Sequence, residues 1–419
     1  MQYPIDKYKA QARQTFQTSP LIENFSTWTN SWQIGNVFDT LTDYLVRFPD
    51  AEKAPGTIAK IALDRWTKAA GSLCWYDDYG WWGIASEKAF HAEYAGVFGA
   101  TRESFLTIAR QCWDVMNTGK TGKAYSYKGG PNVWENRENG SPTGYFTSPD
   151  TWAVPRIAGG VWQYDMFKEY RPSGECSPSD SNPSDPNNTD LGPFQLTVMN
   201  GLYLVLAARL GANGQGTAEA VRREVSFLKS WLYLDHEPGH EGQEGLLMHF
   251  PPLTLVRERV GTYAYCDAKR SYPPVHGYNA GTAWCGDQGL ILGGLLDYLR
   301  VDPADPVAQP QAVSIAGGVL YHMVTDQVVQ PTLNLTNDPN DYGCGSGVYW
   351  RYLLHGFRTN AALRQQVLNW VNADRANNAI YRSAEYACAN GGPGNPLFAD
   401  FNVLATLTAA IEILQAAEA

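Results

Sequence analysis

The chain is 419 residues long, 44% hydrophobic and only 18% charged, with 40 Gly and 25 Pro. That apolar content can bury a core, which excludes a wholly disordered chain, a coiled coil and a collagen-like repeat. A formal net charge of -10, from 42 acidic against 32 basic side chains with no long basic run, argues against nucleic-acid binding.

Met1 to Pro20 is polar and lysine-bearing with no apolar signal core, which read alone describes a cytosolic chain. Beyond it, apolar spacing predicts helices over Gly56 to Ala70, His91 to Met116, Phe194 to Leu210, Thr217 to Tyr233, Asp287 to Arg300, Ala312 to Val328, Ala361 to Val371 and Phe401 to Ala416. Strand alternation is scarce. In the fourth of these, Ala220, Val221, Val225, Leu228, Trp231 and Leu232 share one helical face, and Arg222, Arg223 and Glu224 fall elsewhere. Long Gly/Pro/Asn/Tyr segments intervene at Lys120 to Asp150, Pro172 to Pro193, Asp235 to Tyr278 and Thr332 to Ser346. Loops of that length in a compact domain usually build a site. Helix, long loop and helix repeated along the chain predict an all-α single domain over 1–419, made of helical hairpins closed into a toroid. The longest apolar run, Gly289 to Leu296, falls short of the roughly 20 residues that cross a bilayer, so no membrane span is expected.

Other features oppose a cytosolic location. Four Asn-x-Ser/Thr sequons occur, at Asn24, Asn139, Asn187 and Asn334. Of the seven cysteines, Cys176, Cys266, Cys344 and Cys388 lie in loop-like, Gly- or Ser-flanked contexts that favour disulfides, while Cys74, Cys112 and Cys285 do not. A secreted, N-glycosylated, monomeric protein whose signal peptide has been removed is the expectation. No Cys-x-x-Cys pair is present, and in His236-Glu237-Pro238-Gly239-His240 the central Pro and Gly break the helix that a zinc-protease motif requires. Neither a metal nor a cofactor is expected.

Chemistry concentrates in Trp75-Tyr76-Asp77-Asp78-Tyr79-Gly80-Trp81-Trp82, where two adjacent carboxylates sit among five aromatic rings. Desolvation and like-charge repulsion in such surroundings drive two carboxyl pKa values apart, which makes an acid and a nucleophile from one residue type. Retaining glycosidases hold these groups roughly 5 to 5.5 Å apart, a spacing that consecutive residues on a loop or helix N-terminus can reach. Within a regular helix, consecutive side chains diverge. The structural alternative is that Asp77 or Asp78 caps a helix running from Trp81 to Ala92.

The run WYDDYGWWGIA resembles the catalytic segment of glycoside hydrolase family 76, the endo-α-1,6-mannanases and related fungal wall transglycosylases. Gly159-Gly160-Val161-Trp162 is similar to that family's Gly-Gly-Ile-Trp, and the run from Asn200 to Leu210 to its Asn-Gly/Glu-Leu-Phe helix. Trp284-Cys285-Gly286-Asp287-Gln288-Gly289 resembles its Trp-Thr-Tyr-Asn-Gln-Gly, and Gly347-Val348-Tyr349-Trp350-Arg351-Tyr352-Leu353 its Gly-Ile-Phe-Val-Arg-Tyr-Leu. The resemblance implies an (α/α)6 barrel and a retaining mechanism on α-linked mannose polymers, with Asp77 as nucleophile and Asp78 as acid/base. It implies substrate contacts from Tyr76, Trp81, Trp82, Trp162, Asn200, Trp284, Asp287, Gln288 and Arg351. Departures fall at Gln163, at Phe194 to Leu196, and at Gly286 and Asp287, where the family pattern reads Tyr-Asn. These positions touch substrate in the family, so the reaction carries over more firmly than the sugar.

An oligo- or polysaccharide is thus the expected partner. A transglycosylase using the same aspartates is one alternative; a non-catalytic glycan-binding protein or a lyase on the same scaffold is the other. Trp66, Trp113, Trp231 and Trp370, inside amphipathic helices, read as core.

Overall fold

The structure is a computed structural model, and it describes residues 2–19, 31–51, 55–70, 73, 76–91, 95–118, 144–145, 155–156, 161, 196–232, 247–250, 253–258, 283–325, 327–333, 340–392 and 396–419. Thirteen helices of more than ten residues carry the fold among them. They are α1 (Ile5–Thr18), α2 (Ser31–Arg47), α3 (Pro55–Ala69), α4 (Tyr76–Phe90), α5 (Arg102–Thr118), α6 (Thr197–Ala212), α7 (Ala218–Leu232), α8 (Cys285–Tyr298), α9 (Ala308–Gly318), α10 (Gly345–Thr359), α11 (Ala361–Ala373), α12 (Ala379–Asn390) and α13 (Pro396–Glu418).

The helices sort into two layers by the pattern of their side chains. α7 is amphipathic as its spacing predicts, with Val221, Val225 and Leu228 buried and Arg222 and Arg223 exposed, so it can only be an outer helix. α6 and α8 are buried on every face, which is the behaviour of a helix enclosed on all sides. Six enclosed helices, α2, α4, α6, α8, α10 and α13, each touch the next, and α13 closes the ring on α2. Around them α3 packs on α2, α5 on α4, α7 on α6, α9 on α8, α11 on α10, and α1 with α12 on α13. The architecture is an all-α (α/α)6 barrel.

Glycines fix how closely the inner helices approach and in which direction they run. A Cβ at Gly80 would meet Leu202 closer than 3.0 Å, and one at Gly83 would meet Leu206 just as closely. Gly289 and Gly293 stand in the same relation to Tyr349 and Tyr352. Because both partners advance together along the sequence, α4 runs parallel to α6 and α8 parallel to α10. Parallel inner helices gather their N-termini at one mouth. Only small sheets accompany the barrel, among the described residues, the longest being the antiparallel pair Leu247–Phe250 and Leu253–Val256.

Several expectations are corrected. α1, α2, α10 and α12 lie outside the predicted helices. α2 and α10 carry Asn36, Asp39, Asp43, Ser346 and Arg351 on buried faces, so residues that read as solvent-facing in the sequence are turned inward. The helix predicted from His91, one residue past the end of α4, divides into a short helix (Ala95–Phe98) with a 3-10 turn (Gly99–Thr101), and α5. The one predicted to Val328 stops as α-helix at Gly318, passes through a π-turn (Val319–Met323) and ends in a hairpin with Gln327 at φ 70.

The longest apolar segment is also not Gly289 to Leu296. Phe398–Glu418 in α13 is long and apolar enough to cross a membrane by length and composition, but 78% of that window is buried inside the barrel. Nor do the described cysteines support the disulfide expectation: Cys112, Cys285 and Cys388 form no bridge, and Cys388 sits within α12 while Cys344 ends a 3-10 turn. Burial pushes the thiols of Cys112 and Cys285 well up and that of Cys388 up to about 11, which makes them poor nucleophiles. The four sequon asparagines, together with Cys74, Cys176, Cys266, Trp162 and His236 to His240, lie outside the described residues.

Candidate active site at the mouth of the barrel

α4 begins at Tyr76, five residues before the expected start at Trp81, so Asp77 and Asp78 both lie on its first turn and neither precedes it as a cap. Both are half-buried, and Asp77 Oδ1 accepts the Asp78 backbone N–H at 3.1 Å. The unpaired N–H groups of a helix start favour negative charge there.

Consecutive helical residues are turned by about 100°, so the two carboxylates face different neighbours. Asp77 shares a stripe with Trp81, Ile84 and Lys88, and this stripe faces the inside of the ring: Trp81 meets Trp32 and Trp284, and Lys88 meets Asp39 and Asp43. Asp78 shares the adjacent stripe with Trp82, Ala85 and Ala89, on the side where Trp82 packs on Trp66 of α3. Divergence gives one chemical type two environments, the condition for dividing nucleophile from acid.

Beneath the pair lies a layer of rings. Phe398 meets Trp32 at 5.6 Å, Trp32 meets Trp81 at 6.3 Å, Trp81 meets Trp284 edge-on at 6.4 Å, and Trp284 meets Tyr342 edge-on at 5.7 Å. The Trp284 indole N–H donates to the Tyr342 carbonyl at 3.0 Å, and the Tyr342 hydroxyl donates to Glu258 at 2.5 Å. Trp82 is turned away from this layer, 0% exposed, with its ring 5.6 Å from Trp66 of α3. It belongs to the packing between inner and outer helices. Tyr76 is buried at the start of α4, and Asp287 is buried on the first turn of α8, where its charge adds to the upward push on Cys285.

Three amide side chains hold loops against the inner helices. Asn200 accepts the Val161 N–H at 2.7 Å and donates to the carbonyls of Val161 and Leu196. Gln288 accepts the Val256 N–H at 2.7 Å and donates to the Val256 carbonyl at 2.5 Å. Each amide thus pairs with one residue's backbone as a neighbouring strand would. Asn402 does the same across two residues, accepting from Gly347 N–H and donating to the Gly343 carbonyl.

Below the rings is a buried ion network. Arg351 is paired with Asp39 at 2.9 Å and donates to Thr40 and Asn36 at 2.7 and 2.5 Å. Lys88 is paired with Asp39 and Asp43, and Arg358 with Asp43 and Glu412. Asp39 is held below the usual carboxylate range, the nearby Lys88 and Arg351 outweighing its burial. Arg351 is therefore engaged by α2 within the barrel.

The structure brings together Asp77, Asp78, Trp81 and Trp284 at the mouth, sets Asn200, Gln288 and Asp287 around it on the first turns of α6 and α8, and places Trp82 and Arg351 in the framework. Trp32, Glu258, Tyr342 and Asn402 were not anticipated. Asn402 lies in the helix predicted from Phe401, but its partners Gly347 and Gly343 are 55 and 59 residues away; Trp32 lies outside the predicted helices, and Glu258, past the end of the strand Leu253–Val256, carries no local signal.

No protein-family model matches the sequence, and no curated protein matches it either. Solved structures do. The GH76A α-1,6-mannanase of Salegentibacter sp. HEL1_6 matches with a TM-score of 0.58 at 14% identity, covering 98% of this chain and 99% of that one. A variant of that enzyme with two consecutive aspartates changed to asparagine is inactive and was solved with α-1,6-mannotriose, matching at 0.58 and 13% over 98% and 99% of the two chains. The GH76 α-mannanase BT2949 of Bacteroides thetaiotaomicron matches at 0.52 and 10% identity, covering 98% of this chain and 97% of that one. Motif order and three-dimensional likeness agree, and the chain is built on the (α/α)6 barrel fold of the glycoside hydrolase family 76 structures.

Proposed function

We propose that the protein is a retaining glycoside hydrolase acting on an α-linked glycan, with α-1,6-mannan as its substrate class. The observation that carries this reading is the position of Asp77 and Asp78: consecutive and half-buried on the first turn of an inner helix, at the mouth where the inner N-termini gather, with Asp77 one turn from the ring of Trp81. In a barrel of the same fold, replacing two consecutive aspartates accompanies loss of activity.

Asp77, on the inward stripe, attacks the anomeric carbon while the glycosidic C–O bond breaks, and Asp78 gives its proton to the leaving oxygen. Asp78 then takes a proton from water, and that water opens the Asp77 glycosyl ester, restoring both carboxyls. The ring layer under the pair keeps bulk water to the substrate side. Asn200 and Gln288 act through the backbone they hold, and Arg351 acts through α2; these are positioning roles.

Reducing-sugar release from α-1,6-mannan, with the product anomer followed by NMR, tests the reading. Release with retained configuration is expected, and Asp78→Asn lowers the rate by about 10²- to 10⁴-fold with glycan binding intact. Asp77→Asn abolishes the glycosyl-enzyme. Products longer than the substrate would mark a transglycosylase. Binding without turnover, unaffected in both variants, would leave a glycan-binding protein, and inversion at the anomeric carbon would refute the covalent step.

A further inference from the structure

Trp284, the residue just before α8, folds back across Gly286 on the first turn of that helix. A Cβ at Gly286 would lie closer than 3.0 Å to three atoms of the indole six-membered ring. Gly345, the first residue of α10, abuts the opposite end of the same indole, and a Cβ there would lie closer than 3.0 Å to Nε1 and Cδ1. The indole is therefore seated in a slot between two inner helix starts, and both walls are glycines. Three contacts fix it in that seat: the N–H bond to the Tyr342 carbonyl at 3.0 Å, the edge of Tyr342 at 5.7 Å and the edge of Trp81 at 6.4 Å.

The slot has a consequence for the mouth. Trp81 lies one helical turn below Asp77 on the inward stripe, so the indole that buttresses it also sets how deep the mouth is beneath the nucleophile. Trp284 is only 5% exposed, and both glycine walls sit against its indole. A methyl group on either wall would have to push the indole outward, toward the space above the ring layer, because close-packed interiors do not absorb added volume.

We propose that Gly286 and Gly345 are specificity-determining residues, which shape the sugar site beneath Asp77 by seating the Trp284 indole against Trp81. This rests on the hydrolase reading above. The residue at 286 determines fit without touching substrate, since its effect passes through the ring it admits.

A double-mutant cycle on the full chain tests this, using KM and kcat for α-1,6-mannotetraose and the Kd for α-1,6-mannotriose. Gly286→Ala raises KM and Kd about tenfold with kcat within about twofold, the pattern of lost binding rather than lost chemistry. In a Trp284→Ala background the same Gly286→Ala change has no further effect, because the methyl acts only through the indole. Should Gly286→Ala fail to fold, the Gly286→Ala/Trp284→Phe pair replaces it: the smaller ring makes room for the methyl, and its KM matches that of Trp284→Phe alone. An active wild type whose KM is unmoved by Gly286→Ala overturns this inference, as does an equal effect of Gly286→Ala with and without the indole. A wild type that neither binds nor cleaves α-glycans overturns the hydrolase reading itself.

Discussion

Glu87 is the carboxylate that the barrel holds at a disadvantage. It lies on α4, 1% exposed, with Asn213 donating to Oε1 at 2.6 Å. The nearest cation is Arg209, but its Nε is 2.8 Å from Asp297 and 4.0 Å from Glu87. Asp297 has further support from His355 at 2.8 Å and Arg300 at 3.6 Å, and is held well below the usual carboxylate range. Burial pushes Glu87 up from 4.5 to about 7, with Arg209 pulling it down and the Asp297 charge pushing it up. A carboxyl whose pKa is raised on folding stabilises the fold fully below the unfolded value and loses that contribution as pH rises through the folded one. The window is therefore pH 4.5 to about 7. At about 1.4 kcal/mol per pKa unit the loss is about 3 kcal/mol. Glu87→Gln keeps the shape and the acceptor for Asn213 and removes the titration. Urea unfolding at pH 4.5 and pH 8 is the assay: the stability difference between variant and wild type shifts by about 3 kcal/mol in favour of the variant over that range. Asp305, lowered to about 2 chiefly through its bond from Lys229 and backbone N–H groups against its burial, titrates below this window and leaves the comparison clean. Parallel pH profiles, or a variant that weakens as pH rises, would refute the reasoning.

Two further substitutions separate framework from substrate contact. Arg351→Met removes the partner of Asp39, Thr40 and Asn36 and leaves a buried carboxylate with less compensation, a loss of about 3 to 5 kcal/mol read from the urea midpoint. A residue that only touched sugar would raise KM and leave that midpoint where it was. Gln288→Leu strips the Val256 N–H and carbonyl of their partner and costs about 1 to 3 kcal/mol for each buried group left unsatisfied. Faster amide exchange at Val256 identifies the site of that loss, and unchanged exchange would remove Gln288 from its role as a clamp.

Local pattern was enough for several outer helices, and it singled out the aspartate pair. Val221, Val225 and Leu228 mark α7 because an outer helix must bury one face and wet the other, and that requirement is written at 3.6-residue spacing. The adjacent aspartates in their aromatic run, and the later motifs in order, were likewise legible in one dimension. The polar contacts of the inner layer were not. An enclosed helix has no wet face, so a buried Asn36 or Arg351 reads as a solvent residue until its partner is known, and those two are 315 positions apart. The same separation kept the roles of Asn200 and Gln288 hidden, since each pairs with a backbone 39 or 32 residues away whose conformation the amide itself supports. Gly286 is the sharpest case: in sequence it is only a departure from a motif, and the barrel makes it the wall of a slot, because the ring filling that slot is placed by two helices meeting at the mouth. Residue type and spacing determined which helices show an apolar face and where the aspartate pair lies; closure of the ring decided which polar side chains meet one another, because those partners are distant in sequence.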